Sequence, residues 1–415
     1  MSERHFTITK DTLKEKKELD FTKELARETA YDPRGVEIVE VNQSTPIFSH
    51  ICFVPLFDVH GAAVGSNAVR EEKAVLFVKN TANAFCVMGG DAVNSIIKAD
   101  QNAHDDKFGN QKAIMRAIDL YSTIVDKIPL ILDGNHDGEN GNRFNASNMS
   151  PTRHIVDALR TYIPGKGYEG PQHCKFGAIL KFQVPTCDNK RELKEISIYL
   201  HHGSGRGGSP ASSIDSEFAK ALAHINECGE MVDAVITGHH HSNTSGVAPQ
   251  RIPEFDENGR LVNIKKKNAV IVSESTLQEV SNYALAAGYN PSDSNVYIYD
   301  LCMVRNPFYN NKTADTQPEY IMQYTRIPMF RKNSNEYTDE AIEYMKAYKE
   351  PDMDRITSSI KGTNSEKLNK RLKNQNKNYN TVEFISTYLR EKHQDEVKDE
   401  PKTISPEDED VMERR

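Results

Sequence analysis

The chain has 415 residues, 27% of them charged and 37% hydrophobic, with a formal charge of −8 at neutral pH. That length serves one large core, or one domain with substantial additions. No apolar run approaches the ~20 residues of a membrane helix, MSERHFTITK lacks a secretory h-region, and the acidic balance argues against a non-specific nucleic-acid coat while leaving room for a local basic groove. The cysteines Cys52, Cys86, Cys174, Cys187, Cys228 and Cys302 include no C-x-x-C pair, so reduced, buried thiols in a cytoplasmic protein are expected.

From Asp11 to Ala30, sparse apolar points (Leu13, Leu19, Phe21, Leu25) in a charged stretch predict a surface helix. Val36 to Val41 predicts a first strand. The core is expected to begin with Ile51–Phe57, which stops at Asp58-Val59-His60. A helix from about Asn67 to Asn80 would carry Val69, Val75, Leu76 and Val78 inward. The strand Ala84–Met88 stops at Gly89-Gly90-Asp91. After a polar insert, a helix over Lys112–Val125 places Ile114, Ile118, Tyr121 and Val125 near helical spacing. The apolar run from Ile128 then breaks at Gly134-Asn135-His136-Asp137, as a buried strand passing into a turn does.

Asn140 to Ser150 has loop composition, and Ser150-Pro151 reads as the N-cap and first position of a helix to Tyr162. Phe176–Val184 and Glu195–Leu200 look like paired strands, the second ending at His201-His202-Gly203. A glycine-rich loop, Gly203 to Pro210, leads to a helix near Ser213–Cys228. Val232–Thr237 ends at Gly238-His239-His240-His241, and further strands fit Ala269–Ser273 and Val296–Leu301. Beyond about Pro328 the composition turns to Asn, Lys and Glu. Amphipathic helices are expected at Thr338–Tyr348 and Val382–Lys392, and the acidic end, Gln394 to Arg415, is expected to be disordered. These shifts divide the chain into an extension over 1–45, a main domain over 46–330 and a charged extension over 331–415.

Five times a short apolar strand runs out and a polar cluster follows it. Function in layered α/β proteins collects at strand C-termini, where a rigid sheet holds the loops. Strands spaced ~4.8 Å apart can bring such ends within ~10 Å of one another. Asp, His and Asn without Cys suit divalent ions such as manganese, iron or zinc rather than a structural thiolate site. Seven candidate ligands exceed the need of one tetrahedral ion and fit two ions sharing a carboxylate. In extended backbone, residues i and i+2 share a face, so the outer members of Asp58-Val59-His60 and of His239-His240-His241 are expected to reach a common centre. Any one cluster could be a polar turn; five in order at strand ends are not explained that way.

The ordered set Asp58-x-His60, Gly90-Asp91, Gly134-Asn135-His136-Asp137, His201 and Gly238-His239-x-His241 resembles the calcineurin-like metallophosphoesterase superfamily over roughly residues 50–300. The resemblance implies an α/β fold, a two-layer β-sandwich flanked by helices in four αββα layers, with a binuclear metal site at one edge. It implies that Asp58, His60 and His241 hold one ion and that Asn135, His201 and His239 hold the other, with Asp91 bridging. Manganese is the first choice of ion, with iron, zinc or magnesium as alternatives. Two such ions lower the pKa of a shared water, giving a hydroxide nucleophile, and neutralise phosphoryl oxygens. His136 fits the family's catalytic histidine, assisting the leaving group, with Asp137 orienting it.

Strand alternation lets only one of His201 and His202 face the ions. The family pattern favours His201, which leaves His202 as a substrate contact. His240 faces either substrate or solvent. Asn94, three after Asp91, stands where some members place an additional ligand and is a further candidate for the substrate side. Arg206 could clamp a phosphate from the glycine-rich loop, or that loop simply covers the entrance. Ser273 to Pro291 resembles a stretch of phage-encoded members. The basic stretch Lys361 to Lys377, with Tyr379, is either a nucleic-acid contact or a solvated helix. The expected activity is phosphoester hydrolysis, with a phosphodiesterase acting on nucleic acid as first choice, similar in its core to the repair nuclease branch. A cyclic-nucleotide or small-molecule phosphodiesterase and a phosphomonoesterase such as a protein phosphatase follow, then a non-catalytic scaffold.

Overall fold

The strand His50–Leu56 buries both of its faces, sending Cys52, Val54 and Leu56 to one side and Ile51 and Phe53 to the other. A strand apolar on both faces must lie between two layers, and that requirement organises the chain. The computed structural model describes residues 4–7, 36–43, 48–95, 107–138, 150–163, 170–188, 192–203, 210–227, 229–241, 244–274, 276–278, 294–309 and 318–349. These all belong to one unit of contacts, Arg4–Gln43 with Ile47–Pro351. The helices expected at 11–30 and 382–392, the tail, Arg206, Cys228, the basic stretch 361–377 and most of 273–291 lie outside the described residues.

A seven-stranded sheet runs in the order β1 (Arg4–Thr7), β2 (Val36–Gln43), β7 (Gly177–Pro185), β8 (Leu193–His201), β9 (Ala234–Thr237), β11 (Leu261–Ser273) and β10 (Thr244–Phe255). A six-stranded sheet runs β13 (Tyr320–Pro328), β12 (Tyr297–Arg305), β3 (His50–Leu56), β4 (Ala84–Met88), β5 (Leu130–Leu132) and β6 (Gln172–Cys174). Between them lies a core of Phe53, Phe85, Leu132, Phe182, Ile198, Leu200 and Ile236. Outside the six-stranded sheet pack α1 (Ala68–Asn80), α2 (Asn110–Ser122), α3 (Pro151–Arg160) and α5 (Asp339–Ala347). Outside the other sheet packs α4 (Pro210–Glu227), through Ala221 and Ile225. The four layers are αββα, as expected. No helix among the described residues is long and apolar enough to cross a membrane.

Strands β3, β4 and β5 are parallel, as are β8, β9 and β11. Their C-terminal ends therefore gather at one edge of each sheet, which brings loops far apart in sequence together. Asn67 caps α1 through the Arg70 N–H, and Ser150 caps α3 through the Arg153 N–H, each satisfying an otherwise orphaned donor.

Several expectations need correction. In α1, Val69 and Leu76 are about half exposed, whereas Arg70 and Glu71 are buried beside Val75 and Val78. Partners make that burial tolerable. Glu71 accepts from the Tyr121 hydroxyl at 2.9 Å and pairs with Arg116 at 2.5 Å, while Arg70 donates to the Ser334 carbonyl at 2.7 Å. Strand β2 lies within the larger sheet and α5 buries Ala341 and Tyr344 in the outer core. Residues on both sides of the expected boundaries at 46 and 330 thus share the same layers.

Candidate metal centre

The five polar clusters meet where the parallel strands end. The backbone that presents them is not extended. Asp58, His60, Asp91, His239 and His241 have φ of 50°, 48°, 53°, 70° and 50°, respectively. This is the left-handed region that L-residues avoid. The expectation that extended alternation aligns Asp58 with His60, and His239 with His241, is therefore replaced by kinked turns that aim each side chain separately. Such a conformation costs about 1–3 kcal/mol per residue and persists only where neighbours over-determine it. Here they do. The His60 N–H donates to the Asp91 carbonyl at 2.8 Å, the His239 N–H to Asp58 Oδ2 at 2.7 Å, and the His136 N–H to Asp91 Oδ1 at 2.7 Å. The Thr276 hydroxyl, buried behind the site, donates to the Asp58 carbonyl at 2.6 Å.

The glycines before these residues allow the loops to interlock. A Cβ on Gly238 would lie 2.6 Å from Asp58 Oδ2, and one on Gly134 would strike the Asp91 carboxylate.

Three triads of ligand atoms result, each with all atoms within 4.8 Å of one another: Asp58, His60 and His241; His60, Asp91 and His136; Asp58, Asp91 and His202. They overlap, because Asp58, His60 and Asp91 each serve two of them. His241 Nε2 stands 3.2 Å from Asp58 Oδ1, and His202 Nε2 stands 3.3 Å from Asp91 Oδ2. Asn135 extends the cluster: its Oδ1 lies 3.1 Å from His202 Nε2 and 3.0 Å from His239 Nδ1. Asp58 and Asp91 are almost completely buried.

Electrostatics and satisfaction both fit divalent cations. Burial pulls the His202 imidazole down, but the Asp91 and Asp58 carboxylates outweigh it and push the group up to about 10. Burial raises Asp58, yet His241 and His202 hold it well below the usual carboxylate range. Burial holds His60 at about 3, against the pull of Asp91. Asp58 Oδ1 and His60 Nε2 are buried without a hydrogen-bond partner among the described residues. A buried carboxylate oxygen without a hydrogen bond, faced by the His241 and His60 ring nitrogens at 3.2 and 3.8 Å, is costly unless a cation lies among them. Two carboxylates, an amide oxygen and several imidazoles are the donor set that borderline divalent ions accept.

A scan against protein-family models finds no match, and neither does a search of curated proteins. Among solved structures, the chain is similar to the calcineurin-like phosphoesterase YfkN from Bacillus subtilis at 11% identity and a TM-score of 0.30, over 73% of this chain and 97% of that one. It is also similar to a metallophosphoesterase from Sphaerobacter thermophilus at 12% identity and a TM-score of 0.25, over 72% and 94%.

Of the seven expected ligands, the structure brings Asp58, His60, Asp91, Asn135, His239 and His241 together and leaves out His201. Its ring stacks on Tyr199, its Nδ1 accepts from the Gly203 N–H at 2.9 Å, and it lies 4.0 Å from Glu217. His202 takes the place. The reason is the two-residue period of β8: Ile196, Ile198 and Leu200 face the inter-sheet core, so His202 follows them, while Tyr199 and His201 face the α4 side. The pattern ISIYLHH carried that signal.

The substrate-side candidates also move. Asn94 supports two imidazoles, its Oδ1 lying 3.3 Å from His60 Nδ1 and its carbonyl 2.9 Å from His136 Nδ1. His240 is half-buried, its Nε2 without a hydrogen-bond partner among the described residues, and it stands outside the three triads. Asp137 does not orient His136. Its carboxylate accepts from the N–H groups of Gly134 and Asp91 at 3.0 and 3.2 Å, and of Ala92 and Val93 at 2.7 and 3.3 Å. It ties the loop after β4 to the loop after β5. The orienting group for His136 is the Asn94 carbonyl, which can only accept and so fixes the proton on Nδ1.

Proposed function

We propose that this chain hydrolyses phosphoesters with two divalent ions, one held by Asp58, His60, Asp91 and His241 and the other by Asp91, Asn135, His202 and His239. The observation that carries this is the overlap of the ligand triads around Asp58 Oδ1 and His60 Nε2, both buried and without a hydrogen bond among the described residues. When bound, such a pair activates water as a nucleophile and neutralises charge on the phosphoryl oxygens. The chain's own contribution is placement. Asp91 sits between the two ligand groups, Asn135 stands exposed at the mouth, and interlocked turns fix each ligand before substrate arrives.

His136 is half-exposed beside His60, their ring centroids 4.8 Å apart. With Nδ1 committed to the Asn94 carbonyl, Nε2 is left to exchange a proton with a departing oxygen. His136→Ala is expected to retain both ions while turnover falls roughly 10²-fold or more, the usual size of a general acid–base contribution. Loss of metal from that variant, read by elemental analysis, would make His136 a ligand instead.

The first substrate class is a phosphodiester, and among diesters a nucleic acid. The order of the sequence clusters supports that choice, as does the openness of the centre at Asn135 and His136. The purified chain with Mn²⁺ is to be offered bis-p-nitrophenyl phosphate, p-nitrophenyl phosphate, and single- and double-stranded DNA. Cleavage of the diester and of DNA is expected. Diester turnover with DNA left intact removes the nuclease reading, and a preference for the monoester removes the diesterase reading. Bound metal without turnover on any of them leaves a binding scaffold.

A further inference from the structure

We infer that the chain carries a second, chemically different metal site, in which Cys187, Cys302 and His50 bind a thiophilic divalent ion of the Zn²⁺ type. One ligand atom from each of the three lies within 4.8 Å of the other two. His50 opens β3 and is paired in register with Cys302 of β12, and the Cys187 N–H donates to the Met303 carbonyl at 3.0 Å. The backbone thus sets all three positions. Cys187 Sγ stands 3.6 Å from His50 Nε2. Zinc bonds of about 2.3 Å to sulfur and about 2.0 Å to nitrogen, at a tetrahedral angle, separate those atoms by about 3.5 Å, close to this spacing.

The imidazole is already oriented for the task. His50 Nδ1 lies 3.0 and 3.2 Å from the two oxygens of Asp300, which is itself held by the Tyr344 hydroxyl at 2.7 Å. A carboxylate on Nδ1 places the proton there and turns the Nε2 lone pair toward the sulfurs, the arrangement that metal-bound histidines use. Cys302 is buried whereas Cys187 is exposed, so three protein ligands would leave a fourth position reachable by water. Binding converts two thiols to thiolates and releases their protons to solvent. The site lies at the far end of β3 from Asp58, a separation of roughly 20 Å for a strand of that length. Its sulfur–nitrogen donors select a softer ion than the oxygen–nitrogen centre does.

Cobalt distinguishes the two sites, because only this one can give thiolate-to-cobalt charge transfer. The reduced full chain, titrated with Co²⁺, is expected to develop that near-ultraviolet absorption and to lose it on adding Zn²⁺. Cys187→Ser and Cys302→Ser should each abolish the absorption while Mn²⁺-dependent diester hydrolysis is unchanged. Asp300→Asn should weaken cobalt binding about 10-fold or more through the imidazole it orients. Absence of the band in the parent chain, or its survival in both serine variants, overturns the inference. So does a Cys187–Cys302 disulfide whose reduced thiols take up no cobalt.

Discussion

Asp91→Asn is expected to strip the centre of both ions together and to lower turnover by at least about 10³-fold. The size follows from what each oxygen does. Oδ1 accepts from the His136 N–H at 2.7 Å, and Oδ2 faces His202 at 3.3 Å and His60 at 3.8 Å. An asparagine has one oxygen to serve both sides. The His136 N–H claims it, since the alternative sets two donors against each other in a buried place. The amide NH₂ is then turned toward the cations, with its hydrogens where a negative charge had been. Replacing any ligand on one side alone, such as His241, should loosen one ion first. Elemental analysis after dialysis separates these patterns, with circular dichroism as the check on folding. Full occupancy of both positions in the variant would mean that Asp91 is not shared.

The side chains that make this prediction possible were legible in the sequence because chemistry and hydropathy change together at the strand ends. Each apolar run stops and Asp, Asn or His begins, and the parallel order of β3, β4 and β5 carries those ends to one edge. What could not be read was local aim. The left-handed turns at Asp58, His60 and Asp91 are fixed by hydrogen bonds between loops that the sequence does not juxtapose. His202 is a different case, since the inward set Ile196, Ile198 and Leu200 pointed to it, and the order of the family motif overrode that period.

Elsewhere the misses trace to partners distant in the chain. Arg70 and Glu71 take the inward face expected of Val69 and Leu76 because Ser334 and Arg116 satisfy them. Strand β10 contains Pro249 and Pro253, which argue against a strand interior, but it lies at the sheet edge, where proline is tolerated. The first part of its partner β11, from Leu261 to Lys266, is exposed, so it shows no hydrophobic alternation to find. The juxtaposition of His50 with Cys187 spans 137 positions and leaves no trace in spacing.

Asp137→Ala should cost more stability than any single ligand replacement, although Asp137 belongs to none of the ligand triads. Its carboxylate satisfies four backbone N–H groups, three of them at Asp91, Ala92 and Val93 and the fourth at Gly134. Burial and the neighbouring Asp91 and Asp133 carboxylates raise its pKa, and the Gly134 N–H opposes them. That balance requires all the donors to be in place. Truncation orphans them in the interior. At about 1–3 kcal/mol for each orphaned group, with relaxation and water recovering part, a loss of about 3–5 kcal/mol is expected. The loop after β4 would also lose the restraint that holds Asp91 at φ 53°, so metal affinity should fall with stability. Urea unfolding of the metal-free chain isolates the first effect and metal titration the second. Asp137→Asn keeps one acceptor oxygen and should fall between the parent and the alanine variant in both. A loss below about 1 kcal/mol in the alanine variant would show that solvent or a neighbouring side chain satisfies these N–H groups once the carboxylate is gone.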